Sequence, residues 1–413
     1  MDTQKKLERL ADEARYDLSC ACGTRGGPDH RRRSKDGLWL YPASVPGGGT
    51  SVLLKTLLSN ACTNDCRYCP LRAGRDVRRC TLAPEEVARV FMDYFRQRKV
   101  SGLFLTSGVL RDADHTMDRI VAVARILRRR HGYRGYIHLK VIPGASDAAI
   151  EEAIALTSTV SLNVEAPTRK AFAVLASGKD YDRDIVRPMR LISRLTARGS
   201  RHARVKQMTQ FIVGASDETD TDIVRATYGL YKRLGLARVY FSAYQRGLGD
   251  PSLPGERRHT GRPEDLLTRE HRLYQVDWLI RKYGFKDDEI PFEPDGSLSL
   301  EADPKEVWAR RHPERFPLDI NRAERHELLR VPGFGPVTVR RILEIRRGGG
   351  RVRSLNDLGK PGRLLRKAEP YVKFGEPGHR SGDGGGAGGR SRACRGRRRP
   401  RANRHVGPRG CYV

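Results

Sequence analysis

The sequence predicts an α/β fold of parallel strands, either a barrel or partial barrel of βα units or a doubly wound open sheet, followed by a small all-helical region. Three observations carry this. Short apolar, β-branched runs alternate with amphipathic helical stretches six times between residues 51 and 245. The runs are apolar throughout rather than at every second position, as strands buried on both faces are. A tight Gly/Pro hairpin near Gly333 then joins two helical stretches.

Strands are expected at 51–58, 102–107, 135–143, 159–166, 206–214 and 238–244, with helices at 83–97, 114–130, 145–156, 183–197 and 219–234. Capping signals support two of the helices: Thr81 ahead of Pro84-Glu85-Glu86, and Asp217 ahead of Asp220. Periodicity fits a barrel of βα units and also a doubly wound open sheet, and does not choose between them. A further amphipathic stretch covers 261–283, with Leu266, Leu273, Val276 and Ile280 on its apolar side. After a polar connector, Leu328-Leu329-Arg330-Val331-Pro332-Gly333-Phe334-Gly335-Pro336 reads as a helix end, a hairpin and a new helix with proline in its first turn. The expected division is 1–50, N-terminal segment; 51–250, barrel; 251–302, helical extension and connector; 303–375, hairpin region; 376–413, a Gly/Arg-rich tail. That tail has almost nothing apolar to bury, so disorder is expected there.

The chain has 413 residues, with 79 Lys and Arg against 49 Asp and Glu, a formal charge of +30. At about 100–200 residues per domain, two or three domains are expected. No run approaches the ~18 apolar residues of a membrane helix, and the charged N-terminus lacks a secretory core. A cytoplasmic protein is therefore expected. The positive charge favours polyanions such as nucleic acid. Residues 376–413 hold ten arginines against two acidic residues, so most of the excess belongs to the folded body. Eight cysteines without an export signal point to metal or redox chemistry rather than a disulfide framework.

The sharpest motif is C-x3-C-x2-C, Cys62-Thr63-Asn64-Asp65-Cys66-Arg67-Tyr68-Cys69, placed just after the first expected strand. Ligand sites of βα folds lie at that end of the strands. Three thiolates in one loop favour zinc or an iron–sulfur cluster. A structural zinc site is usually closed by a fourth ligand, and no second cysteine or histidine pair stands out to supply it. Three ligands on a four-iron cluster leave one iron open for chemistry.

This loop resembles the cluster loop of radical S-adenosylmethionine (SAM) enzymes, and the six βα units match that superfamily's partial barrel. The resemblance implies a [4Fe-4S] cluster held by Cys62, Cys66 and Cys69, with SAM chelating the open iron. One electron then cleaves the sulfonium to a 5′-deoxyadenosyl radical. It further implies Tyr68 against the adenine. Leu105-Thr106-Ser107-Gly108 resembles the glycine-bearing motif at the methionine amino group, here without the carboxylate of a Gly-Gly-Glu form, which leaves Ser107 and Gly108 as contacts. Alternation along strand four places Ser161, Asn163 and Glu165 on one face, suited to the ribose hydroxyls. The segment containing Gln210 and Gly214 resembles the one that approaches the adenine. Strand three offers His138 and Lys140, and strand six Tyr240, Ser242 and Tyr244, as candidate substrate groups. Lys140 suits a carboxylate or phosphate. Cys80 is a candidate hydrogen donor, while Cys20 and Cys22 are expected to be structural.

Residues 328–347 look like a helix-hairpin-helix of DNA repair and recombination proteins. There the Gly333-Phe334-Gly335 hairpin presents backbone N–H groups to a phosphate, with Arg340 and Arg341 adding charge. Over residues 1–375 the order of parts resembles bacterial radical SAM proteins of DNA modification and repair. That resemblance implies DNA as substrate or platform and a companion resembling a uracil-DNA glycosylase. An electron donor such as flavodoxin or ferredoxin is also implied. Radical chemistry on RNA or a small molecule is the alternative, and a non-catalytic metal-bearing DNA-binding protein is a third reading.

Overall fold

A computed structural model describes residues 2–17, 32–34, 39–44, 50–257 and 263–375. Cys20, Cys22, Cys394, Cys411 and the whole 376–413 tail lie outside the described residues.

The chain opens with helix α1 (Thr3–Glu13), capped by Asp2, whose carboxylate accepts the Lys5 N–H at 2.8 Å. Strands β1 (Arg32–Arg33), β2 (Trp39–Ser44) and β3 (Thr50–Leu57) follow, joined antiparallel. Then come α2 (Pro84–Arg96), β4 (Gly102–Thr106), α3 (Ala113–Arg125), β5 (Tyr136–Lys140), α4 (Asp147–Leu156), β6 (Thr159–Ser161), α5 (Arg169–Leu175), α6 (Arg187–Leu195), β7 (Lys206–Val213), α7 (Asp220–Leu234) and β8 (Arg238–Ala243). From β3 to β8 the strands are parallel and lie in chain order across the sheet. A doubly wound sheet reverses its strand order part-way; this sheet does not, so the barrel alternative is the correct one. The N-terminal segment is not a separate appendage: β1 and β2 extend the sheet, and α1 buries Leu7, Leu10 and Ala11 in the main core.

Leu54, Leu103, Leu105, Ile137, Leu139, Val160, Phe211 and Phe241 form the helix-covered layer, almost wholly buried. The expected helices form, with small corrections. Thr219, not Asp217, caps α7, its hydroxyl accepting the Asp222 N–H. Ala83 starts α2, with the Glu86 carboxylate reaching back to its N–H at 2.7 Å. The expected strand 159–166 ends instead at Ser161.

At the far edge no strand among the described residues pairs with the outer side of β8, and side chains occupy its outer backbone groups. The Tyr274 hydroxyl accepts the Phe241 N–H (3.1 Å) and donates to the Phe241 carbonyl (2.9 Å). The Tyr231 hydroxyl accepts from Val239 (2.9 Å), and the Glu270 carboxylate from Ala243 (2.6 Å). After the short α8 (Pro254–Arg257), Tyr274 and Glu270 come from α9 (Pro263–Trp278), held against β8 by the buried Asp277 carboxylate 3.0 Å from Arg238.

Helix α10 (Pro304–Arg311) leads to a second, smaller core around Leu328, Val331, Phe334, Val339 and Ile342. It contains β9 (Leu318–Asp319), α11 (Arg325–Leu328), α12 (Pro336–Arg347), α13 (Arg363–Arg366) and β10 (Val372–Lys373). No helix among the described residues is long and apolar enough to cross a membrane.

Candidate active site

The cysteine loop leaves the C-terminal end of β3 and wraps around one side chain, Arg79. Its guanidinium donates to the carbonyls of Asn60, Leu71 (2.8 Å), Arg72 (2.9 Å) and Arg75 (3.1 Å). Asn60 closes the base of the loop: its amide donates to Glu13 (2.7 Å) and Arg78 (2.9 Å) and accepts the Cys80 N–H at 2.6 Å. The loop is also strapped to its neighbours. Asp65 accepts from the Ser177 hydroxyl and the Gly178 N–H, and the Arg67 N–H donates to Leu175 at 2.8 Å. On the other side Arg72 donates to the carbonyls of Leu248 and Gly249, both at 3.2 Å.

Each of the three sulfurs meets an N–H donor. The Val109 amide lies 3.3 Å from Cys62 Sγ, the Lys179 ammonium 3.1 Å from Cys66 Sγ, and the Leu71 amide 3.4 Å from Cys69 Sγ. Burial pushes the Cys69 thiol up to about 12 and raises Cys66 as well, the Lys179 charge opposing the latter. In the metal-free chain these two are thiols at neutral pH, and a bound metal is what makes them thiolates. The donor set therefore fits iron–sulfur ligation, in which N–H groups aimed at sulfur stabilise the anionic cluster. Among the described residues no three Cys, His, Asp or Glu converge as ligands of one metal ion. A four-iron cluster takes one thiolate per iron, so its ligands stand wider apart.

Tyr68 donates its hydroxyl to Glu165 Oε1 at 2.7 Å, and burial together with that carboxylate holds it protonated well above its usual range. Glu165 reaches it through a bulge. The chain departs from β6 at 162–164, where the Thr209 hydroxyl fills the ladder, accepting the Val164 N–H (2.9 Å) and donating to the Leu162 carbonyl (2.8 Å). Pairing with β7 resumes at Glu165, in the left-handed region at φ 62°. Ser161 and Glu165 are therefore not successive positions on one face of a regular strand. Ser161 bonds His138 Nε2 at 2.8 Å, whereas Glu165 turns to Tyr68, and Asn163 is buried between them in sequence.

The other expected residues are spread over several places. Gly108 sits against the cysteine loop: its N–H donates to Ser59 at 2.7 Å, and a Cβ there would stand 2.3 Å from the Ala61 carbonyl oxygen. Gly108→Ala is accordingly expected to force the loop outward and lower the iron bound per chain severalfold. Ser107→Ala serves as its control, because among the described residues the Ser107 hydroxyl bonds the adjacent Gly108 carbonyl alone. Gly214 (φ 88°) donates its N–H to Glu218 at 2.6 Å, and Gln210 is buried beside Tyr240 in register. Lys140 lies level with Ser161 on β5. Tyr244 donates to Glu256 at 2.5 Å and packs on Gly249, holding the 244–250 segment. Cys80 is half-buried, and the charges acting most on its thiol are Glu13, Arg9 and Lys6 of α1 and Arg78. Sequence reasoning missed Lys179 and Arg79. Lys179 lies in a loop more than a hundred residues from the cysteine it meets, and nothing local marks either residue.

In the hairpin, Gly333 takes φ 83° and a Cβ would lie 2.2 Å from the Leu364 carbonyl, whereas Gly335 is extended with only the Tyr283 hydroxyl near, at 3.5 Å. Arg340 and Arg341 are both exposed; Arg340 lies 4.0 Å from Glu344, and Arg341 donates to the Leu358 carbonyl at 2.9 Å. The unit is pinned to the segment between α9 and α10 and to α10 itself. Lys305 Nζ donates to the Phe334 carbonyl at 2.5 Å, and Arg330 donates to the Tyr283 carbonyl (3.1 Å) and Glu289 (2.6 Å).

Residues 56–227 match the Radical SAM superfamily. The barrel is a radical SAM domain. Residues 316–368 match a helix-hairpin-helix motif. Among solved structures the chain is similar to methylornithine synthase, at 15% identity and TM-score 0.42, covering 54% of this chain and 62% of that one. It is similar also to the FeFe-hydrogenase maturase from Carboxydothermus hydrogenoformans (16%, TM-score 0.43, 54% and 51%). A third is a radical SAM methyltransferase from Sphaerobacter thermophilus (14%, TM-score 0.37, 60% and 72%). The chain thus covers less than two thirds of the first two in length. No curated protein matches it.

Enzymes of the radical SAM superfamily work with a [4Fe-4S] cluster and SAM; when bound, the pair supplies a one-electron cleavage of the sulfonium. The chain's own part is to hold three sulfurs on a loop organised by Arg79, to set a positive charge beside Cys66, and to bring Glu165 against Tyr68 at the loop's inner side.

Proposed function

We propose that this radical SAM enzyme modifies or repairs a base or sugar in DNA, the helix-hairpin-helix holding the backbone while the barrel acts on one nucleotide. The single observation that carries the reading is the hairpin fixed by Arg330 and Lys305 to the segment that follows the radical SAM domain. Gly335 opens α12 there, with Arg340 exposed one turn on. Backbone N–H groups at such a helix start suit a phosphate, and basic side chains add salt-dependent affinity without reading sequence. Reaching an atom inside a duplex requires flipping a nucleotide, at a cost of a few kcal/mol.

Gly335→Ala tests this cleanly, because a Cβ there fits the fold but blocks close approach of a phosphate. Duplex affinity, read by fluorescence anisotropy across a salt series with tRNA as comparison, is expected to fall about tenfold. SAM cleavage without DNA should stay unchanged. Equal affinity of the variant and wild type for duplex, or a preference for tRNA, would remove DNA as the platform. The companion resembling a uracil-DNA glycosylase belongs to the same proposal and is tested by co-purification with the intact chain.

A further inference from the structure

We propose that Lys179 is a positioning residue of the radical SAM reaction: its ammonium, held against Cys66, sets the reduction potential of the cluster and eases entry of the single electron the reaction needs. The inference rests on the radical SAM domain and its cysteine loop, and stands apart from the DNA reading.

The chain fixes this lysine from both sides. Ahead of it, the residues flanking Cys66 are tied to the segment that closes and follows α5. Asp65 accepts from the Ser177 hydroxyl, and from the Gly178 N–H at 3.2 Å, while the Arg67 N–H donates to the Leu175 carbonyl at 2.8 Å. The approach is close: a Cβ on Gly178 would stand 3.2 Å from the Asp65 carboxylate. Behind it, Asp180 opens the helical turn Tyr181–Val186. Its carboxylate accepts the Arg183 N–H at 2.7 Å, and its own N–H donates to Asp184 at 2.8 Å. Lys179 bridges these two fixed points. A lysine stem is long and flexible, and a backbone held at both ends is what keeps its ammonium 3.1 Å from Cys66 Sγ.

The three sulfurs are therefore unequal. Cys62 and Cys69 meet the neutral backbone amides of Val109 and Leu71. Those amides polarise sulfur without adding net charge, whereas the ammonium does both. Hydrogen bonds from an ionised donor are shorter and about twice as strong as neutral ones. Cluster potentials follow net charge, hydrogen bonds to sulfur and exposure. Cys66 is buried, so solvent ions screen this contact little. Glu165 is the opposing charge, and it acts on Cys66 less strongly than Lys179 does. One electron, from a low-potential donor of the reduced-flavin or iron–sulfur class, adds one negative charge to the cluster. No bond breaks and no proton moves in that step. A positive charge at a ligand sulfur stabilises the more negative state and so raises the potential.

The test uses the full chain, reconstituted anaerobically with iron and sulfide and kept free of SAM. Dithionite poises the sample through a potential series, and electron paramagnetic resonance counts the reduced cluster. At wild-type iron content, Lys179→Met is expected to lower the ratio of reduced to oxidised cluster about tenfold at any given potential. For one electron that is a midpoint about 59 mV more negative. Lys179→Arg should hold most of the wild-type midpoint, because the charge stays. Ser177→Ala removes one strap without altering any charge, and should shift the midpoint the same way by a smaller step. A wild-type midpoint in Lys179→Met, or an equal fall in Lys179→Arg and Lys179→Met, would overturn the proposal. So would an unchanged midpoint with weakened SAM binding by calorimetry, which would place the ammonium at the SAM carboxylate instead. If Lys179→Met does not hold its cluster, Lys179→Gln, which keeps a donor without the charge, decides by the same readings.

Discussion

Arg79→Ala is expected to bind a small fraction of the iron that wild type binds after anaerobic reconstitution, and to form 5′-deoxyadenosine in proportion. The guanidinium serves four carbonyls of the loop that carries the cysteines. Each lost hydrogen bond in this half-buried setting is worth roughly 1 kcal/mol. The sum is on the order of the local stability of a loop, well below that of the barrel core. The thermal midpoint should therefore move by only a few degrees while iron and sulfide content collapse. Arg79→Lys should rescue little, since a single ammonium cannot span carbonyls that the planar fork reaches together. Wild-type iron content in Arg79→Ala would show that the cysteine loop holds its shape without the clasp.

Arg330→Ala should loosen the helix-hairpin-helix from the segment that follows the radical SAM domain. The guanidinium lies 3.7 Å over the Phe285 ring and 5.5 Å from that of Trp308, besides its bonds to Glu289 and Tyr283. Removing one partner of such a pair, with its packing, costs about 3 kcal/mol. Limited proteolysis is the direct measurement: cleavage between 284 and 303 should accelerate severalfold, with the small core intact afterwards. The hairpin should still bind duplex, but any stimulation of deoxyadenosine formation by DNA should fall. Unchanged proteolysis would mean that Lys305 and the shared apolar contacts suffice.

Much of the fold was legible because its signals are local. Apolar runs mark the parallel strands and their helices, with ends that shift by up to five residues, and the cysteine spacing marks the loop at the end of β3. What periodicity could not supply was strand order, which depends on contacts far apart in sequence. The bulge after Ser161 escaped for a similar reason. Residues 159–166 read as one continuous strand, and only the Thr209 hydroxyl on the next strand shows where the ladder is interrupted. Arg341 is a surface charge beside Arg340, and its bond to the Leu358 carbonyl is a contact the local pattern does not show. Lys179 carried no sequence signal because its meaning comes from the Asp65 straps that deliver it to Cys66.

The side chains lining the outer edge of β8 have a consequence for association between molecules. An uncovered edge strand is a template on which another chain can add a strand, the usual start of edge-to-edge aggregation. Here Tyr231, Tyr274 and Glu270 already occupy the amides of Val239, Phe241 and Ala243. An incoming strand would have to displace an entire helix to find partners. That edge of the sheet is thereby closed to strand addition by a second copy of the chain.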